Sequence, residues 1–163
     1  IGVTSFFRDP AAFAVLESQV IPELFKNKGP DDTVRVWVPG CSTGEEAYSL
    51  AILLRDGAPK SLGAPKLQVF ATDIDENALD LARMGRYPAA VAKDIPANRL
   101  ERYFLREDGT GHQRDPNRQH VEASHACGLL HPSPALQRAF RSRAGMAACF
   151  CWHSNRIETG NAY

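Results

Sequence analysis

The sequence has no charge imbalance and no long apolar run. Its 163 residues include 19 Lys and Arg against 19 Asp and Glu, so no overall field draws the chain to nucleic acid or to an anionic membrane. No apolar stretch approaches the length that spans a bilayer, and Ile1 does not open a signal segment. These absences predict a cytoplasmic fragment that binds no nucleic acid and does not insert into membranes.

Cysteine is scarce, at 4 residues, and a chain without a secretion signal is not expected to be a disulfide framework. The residues that could suggest a zinc site are Cys127, Cys149, Cys151, His125, His131 and His153. Their spacing lacks paired C-x-x-C motifs, which makes the metal signal weak. We predict reduced thiols and no metal.

Lysine is missing after Gly111, whereas all five histidines lie beyond it. No Gly/Ser-rich or Pro-rich linker accompanies this shift in composition. We therefore divide the chain into a partial domain, residues 1–111, and a tail of unassigned sequence, residues 112–163. The abrupt change is what a shift of reading frame near Gly109 would produce, and the tail gives little reason to expect a packed core.

The front alternates helix and strand. Asp9 and Pro10 predict a helix start, and the spacing of apolar residues places Phe13, Leu16, Val20 and Leu24 on its buried face. The other predicted elements are a strand over Val34–Val38, a helix with Ala47, Leu50, Ala51 and Leu54 on its apolar face and Gly57 at its end, and a strand over Leu67–Thr72. A helix capped by Asp75 and running through Met84, with Gly85 as its stop, and a helix from about Pro96 to Phe104 complete the set. This order predicts an α/β fold with a parallel, Rossmann-like sheet, which we expect to stop after two strands.

Two glycines mark the turn after the first strand, in Val38-Pro39-Gly40-Cys41-Ser42-Thr43-Gly44-Glu45-Glu46. Gly40 and Gly44 allow close approach of the backbone to a ligand, although a plain tight turn is the competing interpretation. Their G-x-x-x-G spacing is not the G-x-G-x-x-G of dinucleotide sites. Glu45 and Glu46 would repel a phosphate and favour a cation such as S-adenosylmethionine, unless they merely stabilise the helix start.

Asp73 ends the second predicted strand, one βαβ unit after the glycine turn. In Rossmann-like sheets an acid at this place accepts hydrogen bonds from the ribose hydroxyls of the cofactor. Asp75 is better explained as a helix cap, and a turn role for Asp73 is the alternative. Together the turn and the acid predict a nucleoside site.

With these residues in view, residues 1–108 resemble the CheR family of chemotaxis methyltransferases. Four segments carry the resemblance: Thr4-Ser5-Phe6-Phe7-Arg8-Asp9, the run from Val36 to Ser49, Phe70-Ala71-Thr72-Asp73-Ile74-Asp75, and Gly85-Arg86-Tyr87-Pro88. The resemblance implies a partial S-adenosylmethionine-dependent methyltransferase fold with a truncated sheet. It also implies methyl transfer to glutamate side chains on the cytoplasmic helices of methyl-accepting chemotaxis receptors.

The resemblance further implies roles for single residues. Thr4 and Arg8 would line the methionine end of the cofactor and the reaction centre. Glu45 would contact the cofactor, and Asp73 would hold its ribose. Arg8 is the candidate catalytic residue, because a guanidinium can bind a substrate carboxylate through two hydrogen bonds and orient it. The phenylalanines beside it are expected in the core.

The family pattern is incomplete in this chain. The helical domain that precedes the T-x-F-F-R segment in the family is missing, as are its Asp-Pro-Pro-Phe and Cys-Arg-Asn types of segment, and Gly2 stands where the family often has asparagine. We therefore expect a fragment that is poorly stable and catalytically silent. A module that binds cofactor or receptor without turnover stays open, and an oxidoreductase piece is disfavoured by the glycine spacing.

Overall fold

The structure is a computed structural model that describes residues 4–60, 63–107, 120–123 and 148–154. Helices and strands alternate along most of it. In chain order they are α1 (Pro10–Val15), a π-helical turn (Leu16–Val20), α2 (Ile21–Phe25), β1 (Thr33–Pro39), α3 (Glu45–Gly57), β2 (Lys66–Asp73), α4 (Glu76–Met84), β3 (Arg86–Pro88), a 3₁₀ helix (Ala89–Asp94), α5 (Ala97–Tyr103), β4 (Phe104–Glu107), β5 (His120–Ala123) and β6 (Ala148–Ser154).

Strands β1 and β2 form the parallel pair that positions the site. They run in register with Val36 opposite Val69, and α3 makes the crossover between them. Val34 and Val38 are buried in one apolar core with Ile52 of α3. Because burial of such side chains is the main stabilising contribution to a fold of this size, α3 is fixed against the sheet. The predicted Rossmann-like α/β class is confirmed.

Local signals at helix ends were predicted well. The Asp9 carboxylate accepts a hydrogen bond from the Ala12 N–H at 3.1 Å. Asp75 caps α4 in the same way, at 2.9 Å from the Asn77 N–H. Gly85 ends α4 in the left-handed conformation, with φ 62°, where a residue without Cβ is favoured.

The predicted buried face of the first helical stretch was wrong in its second half. Val20 and Leu24 are exposed at 40% and 36%, whereas Ile21 and Phe25 are exposed at only 3% and 7%. Pro22 explains the shift, because proline has no N–H and its ring collides with the carbonyl four residues earlier. The π-helical turn widens the helix there and adds one residue, which rotates the inward face by about 100°.

The expectation that the main sheet stops after two strands was also wrong. β6 pairs antiparallel with the second edge of β2, with Trp152 opposite Val69, and β5 lies between β3 and β4 in a separate sheet. Pairing along an open edge uses main-chain groups, so a β-prone segment needs no specific contact motif to join it. The division of the chain at Gly111 stays a prediction.

Neither a membrane helix nor a metal cluster is found within the described ranges. No helix there has the length and apolar character needed to cross a bilayer. No three His, Cys, Asp or Glu side chains there are grouped so that they could hold a metal ion. Of the residues weighed above as zinc ligands, His125, Cys127 and His131 lie outside the described residues, and Cys149, Cys151 and His153 belong to strand β6.

The shift of the helix face predicts that neighbouring residues differ in their contribution to stability. Ile21→Ala should lower the free energy of unfolding by about 2–4 kcal/mol, because it opens a cavity in the core. Val20→Ala, the matched control one residue earlier, should change it by less than about 0.5 kcal/mol. Urea denaturation followed by circular dichroism measures both. A larger loss of unfolding free energy for Val20→Ala than for Ile21→Ala would show that Val20 is on the buried face, as the periodicity predicted, and would refute the π-helical shift.

Candidate active site

The turn from β1 to α3 has a backbone that ordinary residues avoid. Gly40, Ser42 and Gly44 all have positive φ, at 66°, 50° and 98°. The Cys41 N–H donates to the Thr72 carbonyl at 3.0 Å, which docks the turn on the end of β2. The turn therefore lies at the carboxyl end of two parallel strands, where doubly wound sheets bind ligands.

The two glycines of the turn have different surroundings. A Cβ added to Gly40 would meet no atom within 4 Å, whereas one added to Gly44 would lie 2.9 Å from the Ala82 Cβ and 3.1 Å from the Tyr87 hydroxyl. The space beside Gly40 is therefore open. Gly44 allows α3 to pack on α4, so its contribution is to the shape of the turn.

Asp73 ties the turn to β2 in a way that the sequence did not indicate. One carboxylate oxygen accepts the Ser42 N–H at 2.7 Å, and the other accepts the Asp75 N–H at 2.9 Å. The Asp75 N–H is the largest cause of a pKa below the ordinary 3.8, the Ser42 and Ile74 N–H groups act in the same direction, and partial burial opposes them.

The lowered pKa of Asp73 fixes the sign of its pH effect. A depressed folded-state pKa stabilises the chain above the ordinary pKa, and this contribution is lost as the pH falls through the lowered value. Asp73 is therefore ionised at neutral pH. A carboxylate has about four acceptor positions, so beyond its two bonds it can still accept hydroxyl donors.

The adjacent glutamates Glu45 and Glu46 face different surroundings. Glu45 is buried at 8% exposure, and its carboxylate accepts a 2.6 Å hydrogen bond from the Thr43 hydroxyl. Glu46 is exposed and lines a groove with Arg8. Both carboxylates lie in the first turn of α3, where the helix dipole favours negative charge.

The segment that contains Arg8 is anchored beneath the glycine turn. Phe6 is buried, and its ring meets the edge of Tyr87 at a centroid distance of 5.0 Å. The Tyr87 hydroxyl donates to the Thr43 carbonyl at 2.8 Å. Burial, above all, raises the pKa of Tyr87 well above 10.0, so this donor keeps its proton at neutral pH. Tyr87 lies in one of the segments that carry the family resemblance, but its bond to Thr43 is a tertiary contact that sequence reasoning missed.

A second connection runs through Phe7 and Ser49. The Phe7 N–H donates to the Ser49 hydroxyl at 3.0 Å, and that hydroxyl donates to the Glu45 carbonyl at 2.7 Å. Ser49 is fully buried. The placement of both phenylalanines in the core, as predicted, is confirmed.

The structure thus brings most of the predicted site residues together. The turn between β1 and α3 contains both glycines and leads directly into Glu45, and Asp73 attaches that turn to the end of β2. Arg8 follows Phe7 directly, is exposed and opens on the groove whose lining residues are Arg8, Asp9, Pro10, Ala12, Phe13, Leu16, Glu46 and Leu50. Thr4 is half-buried, and its role toward a cofactor stays a prediction.

The contrast between the glycines is testable by substitution. Gly44→Ala should cost about 2–4 kcal/mol of unfolding free energy, since its left-handed backbone and the contact with Ala82 both oppose a Cβ. Gly40→Ala, with open space around it, should cost about 1–2 kcal/mol from backbone strain alone. Chemical denaturation of both variants measures the difference. Equal losses would show that the packing of Gly44 on α4 is not tight.

Comparison of the sequence with known proteins identifies its family. The family model described as "CheR methyltransferase, SAM binding domain" matches residues 2–139, where SAM is S-adenosylmethionine. The chain is 43% identical over 109 residues to an uncharacterised 104.1 kDa protein of Rhodobacter capsulatus, covering 67% of this chain and 11% of that protein.

Relatives with functional names match over a similar stretch. The chain is 36% identical over 104 residues to the chemotaxis protein methyltransferase Cher2 of Pseudomonas putida, covering 62% of this chain and 38% of that one. It is 38% identical over 110 residues to the chemotaxis protein methyltransferase of Salmonella typhimurium, with coverages of 68% and 34%. The chain therefore spans little more than a third of these two relatives.

Proposed function

The chain belongs to the CheR methyltransferase family, and we propose that it is the cofactor-binding part of an enzyme that methylates glutamate side chains of chemotaxis receptors. The observation that carries the proposal is the Asp73 carboxylate at the end of β2, bonded at 2.7 Å to the Ser42 N–H of the glycine turn. This bond joins the acid expected to hold a ribose to the turn expected to surround the cofactor.

The residues present fit S-adenosylmethionine. The ionised Asp73 can accept the ribose hydroxyls, and the open side of Gly40 lets the backbone approach the ligand. The carboxylate of Glu45 suits the positively charged ammonium of the methionine part. When bound, the cofactor supplies a methyl group on a positively charged sulfur. A pyrophosphate would instead meet carboxylates in the first turn of α3, which disfavours a dinucleotide.

The chain's own contribution to methyl transfer is placement. A glutamate side chain, with an ordinary pKa of about 4.3, is ionised at neutral pH and needs no general base. Arg8 can bind that carboxylate through two hydrogen bonds and orient it. Holding the acceptor in line and excluding water from it accelerates the reaction through proximity and desolvation.

The acceptor and the location belong to the same proposal. We propose that the acceptors are the cytoplasmic helices of methyl-accepting receptors and that the chain acts in the cytoplasm. Two relatives are named as chemotaxis methyltransferases, which supports this. We also keep the proposal that residues 112–163 are not the domain's own continuation.

Calorimetric titration tests the cofactor assignment. We expect the full chain to bind S-adenosylhomocysteine and not NAD, and Asp73→Ala to weaken that binding by about 30-fold or more, because a charged acceptor is lost. Asp75→Asn is the matched control, since asparagine caps a helix as well as aspartate does. Unchanged affinity for Asp73→Ala, or preferential binding of NAD, would refute the assignment.

The two glutamates give a second prediction. Glu45→Gln should weaken binding of S-adenosylhomocysteine by about threefold to tenfold, through loss of one charge near the ligand's ammonium. Glu46→Gln, one residue later and exposed, should change the dissociation constant by less than about twofold. The same calorimetric titration measures both. An equal loss for Glu46→Gln would show that the wrong glutamate has been assigned.

A binding module without turnover is the second candidate function, because the bond from the Ser42 N–H to Asp73 that carries the proposal concerns binding of the cofactor and not methyl transfer. Transfer of labelled methyl groups from S-adenosylmethionine to a purified cytoplasmic receptor domain separates the two. Binding of the cofactor without transfer by the full chain supports the module, and transfer supports the enzyme.

A further inference from the structure

The backbone at Phe7 is strained immediately before Arg8. Its φ is 49°, in the left-handed region that a bulky residue rarely adopts. Such a conformation costs on the order of 1–3 kcal/mol and persists only where the surroundings fix it. The direction in which the chain leaves Phe7, and with it the position of Arg8, depends on whatever holds Phe7 in place.

Three groups hold Phe7. Ser49 accepts its N–H at 3.0 Å, and Phe13 meets its ring edge-on at a centroid distance of 5.3 Å. The third is Arg99 of α5, whose guanidinium carbon lies 5.3 Å from the centroid of the Phe7 ring. A cation over an aromatic face is attracted by the ring's electron density.

Arg99 is itself fixed by two carboxylates from different helices. Its Nε donates to Asp56 of α3 at 2.9 Å, and its Nη2 donates to Glu17 of the π-helical turn at 2.5 Å. Only 13% of its side chain is exposed. A guanidinium can make both bonds and keep a flat face against a ring because its donors lie in one plane, which the single ammonium of lysine cannot reproduce.

We infer that Arg99 is a positioning residue for Arg8. By holding the Phe7 ring while bound to Asp56 and Glu17, it fixes the left-handed turn at Phe7, and it thereby sets where Arg8 meets the methionine end of the cofactor. Ser49 fixes the same turn from the backbone side. The inference rests on the proposed function, since it assumes that the Thr4–Arg8 segment lies at the methionine end.

Arg102 provides a matched control on the same helix. It also bonds to Asp56, at 3.2 Å, and stacks on an aromatic ring, that of Tyr103. Its contacts are with Asp56 and Tyr103 and not with Phe7 or Glu17. If Arg99 only holds α5 against α3, substitution of either arginine should have the same effect on ligand affinity.

The test compares two ligands on the full chain by calorimetry. S-adenosylhomocysteine has the nucleoside and the methionine part, whereas 5′-methylthioadenosine lacks the amino acid part. Arg99→Lys and Ser49→Ala should each weaken binding of S-adenosylhomocysteine by about threefold to tenfold. They should leave binding of methylthioadenosine within about twofold, because Asp73 and the turn are untouched. Arg102→Lys should leave both affinities within the same limit.

Hydrogen exchange adds a readout that requires no ligand. Arg99→Lys should speed exchange of the Phe7 amide by about fivefold or more, since the N–H bond to Ser49 opens more often when the ring is released. Arg102→Lys should leave that rate unchanged.

The outcomes separate the inference from the proposed function. Equal weakening of both ligands by Arg99→Lys, or unchanged binding of both with unchanged exchange at Phe7, overturns the positioning role. If the unaltered chain binds neither ligand, the proposed function fails, and the exchange measurement still decides whether Arg99 fixes the turn at Phe7.

Discussion

The hydrogen bonds of the Asp73 carboxylate are the constraint on which the candidate site depends. They connect the end of β2 to the Ser42 N–H on one side and to the Asp75 N–H on the other. Ser42 has a left-handed backbone, and this bond to an ionised acceptor helps to hold it there. A single side chain thus shapes the glycine turn and the start of α4, and it offers its remaining acceptor positions to a ligand.

Helix α3 connects the glycine turn to the segment that contains Arg8. Its first turn presents Glu45, and its second presents Ser49, whose hydroxyl accepts the Phe7 N–H and donates to the Glu45 carbonyl. Its last turn presents Asp56, which Arg99 and Tyr103 both bind. Because the helix is packed against the parallel strands, it holds these three attachment points in fixed positions. We regard α3 as the shared support of the glycine turn and of the segment that contains Arg8.

Sequence reasoning predicted correctly those features, such as helix ends, that depend only on residues close together in the chain. Asp75 begins α4 through a local hydrogen bond, and Gly85 ends it because glycine adopts the left-handed conformation easily. Both signals can be recognised from a short stretch of sequence. It failed at Ile21 because simple helical periodicity assumes a uniform turn, whereas Pro22 forces a wider one. The bond from the Tyr87 hydroxyl to Thr43 could not be predicted, since it spans 44 positions of the chain. Nor was there a signal for the second role of Asp73, whose partner lies 31 positions away.

The hydrogen bonds that fix the glycine turn affect how tightly the turn can bind a ligand. Its backbone is fixed by bonds from within the chain: Asp73 to Ser42, Tyr87 to Thr43, and Cys41 to Thr72. A turn that the protein itself fixes loses little conformational entropy when a ligand is bound, so more of the interaction energy appears as affinity. The strained backbone at Phe7, before Arg8, is held by one hydrogen bond to Ser49 and by contacts of the Phe7 ring. Ser42 in the turn is strained as well, but the turn has three hydrogen bonds to hold it. We therefore expect the nucleoside half of the site to be the stiffer half and the Arg8 half to be the one more sensitive to substitution.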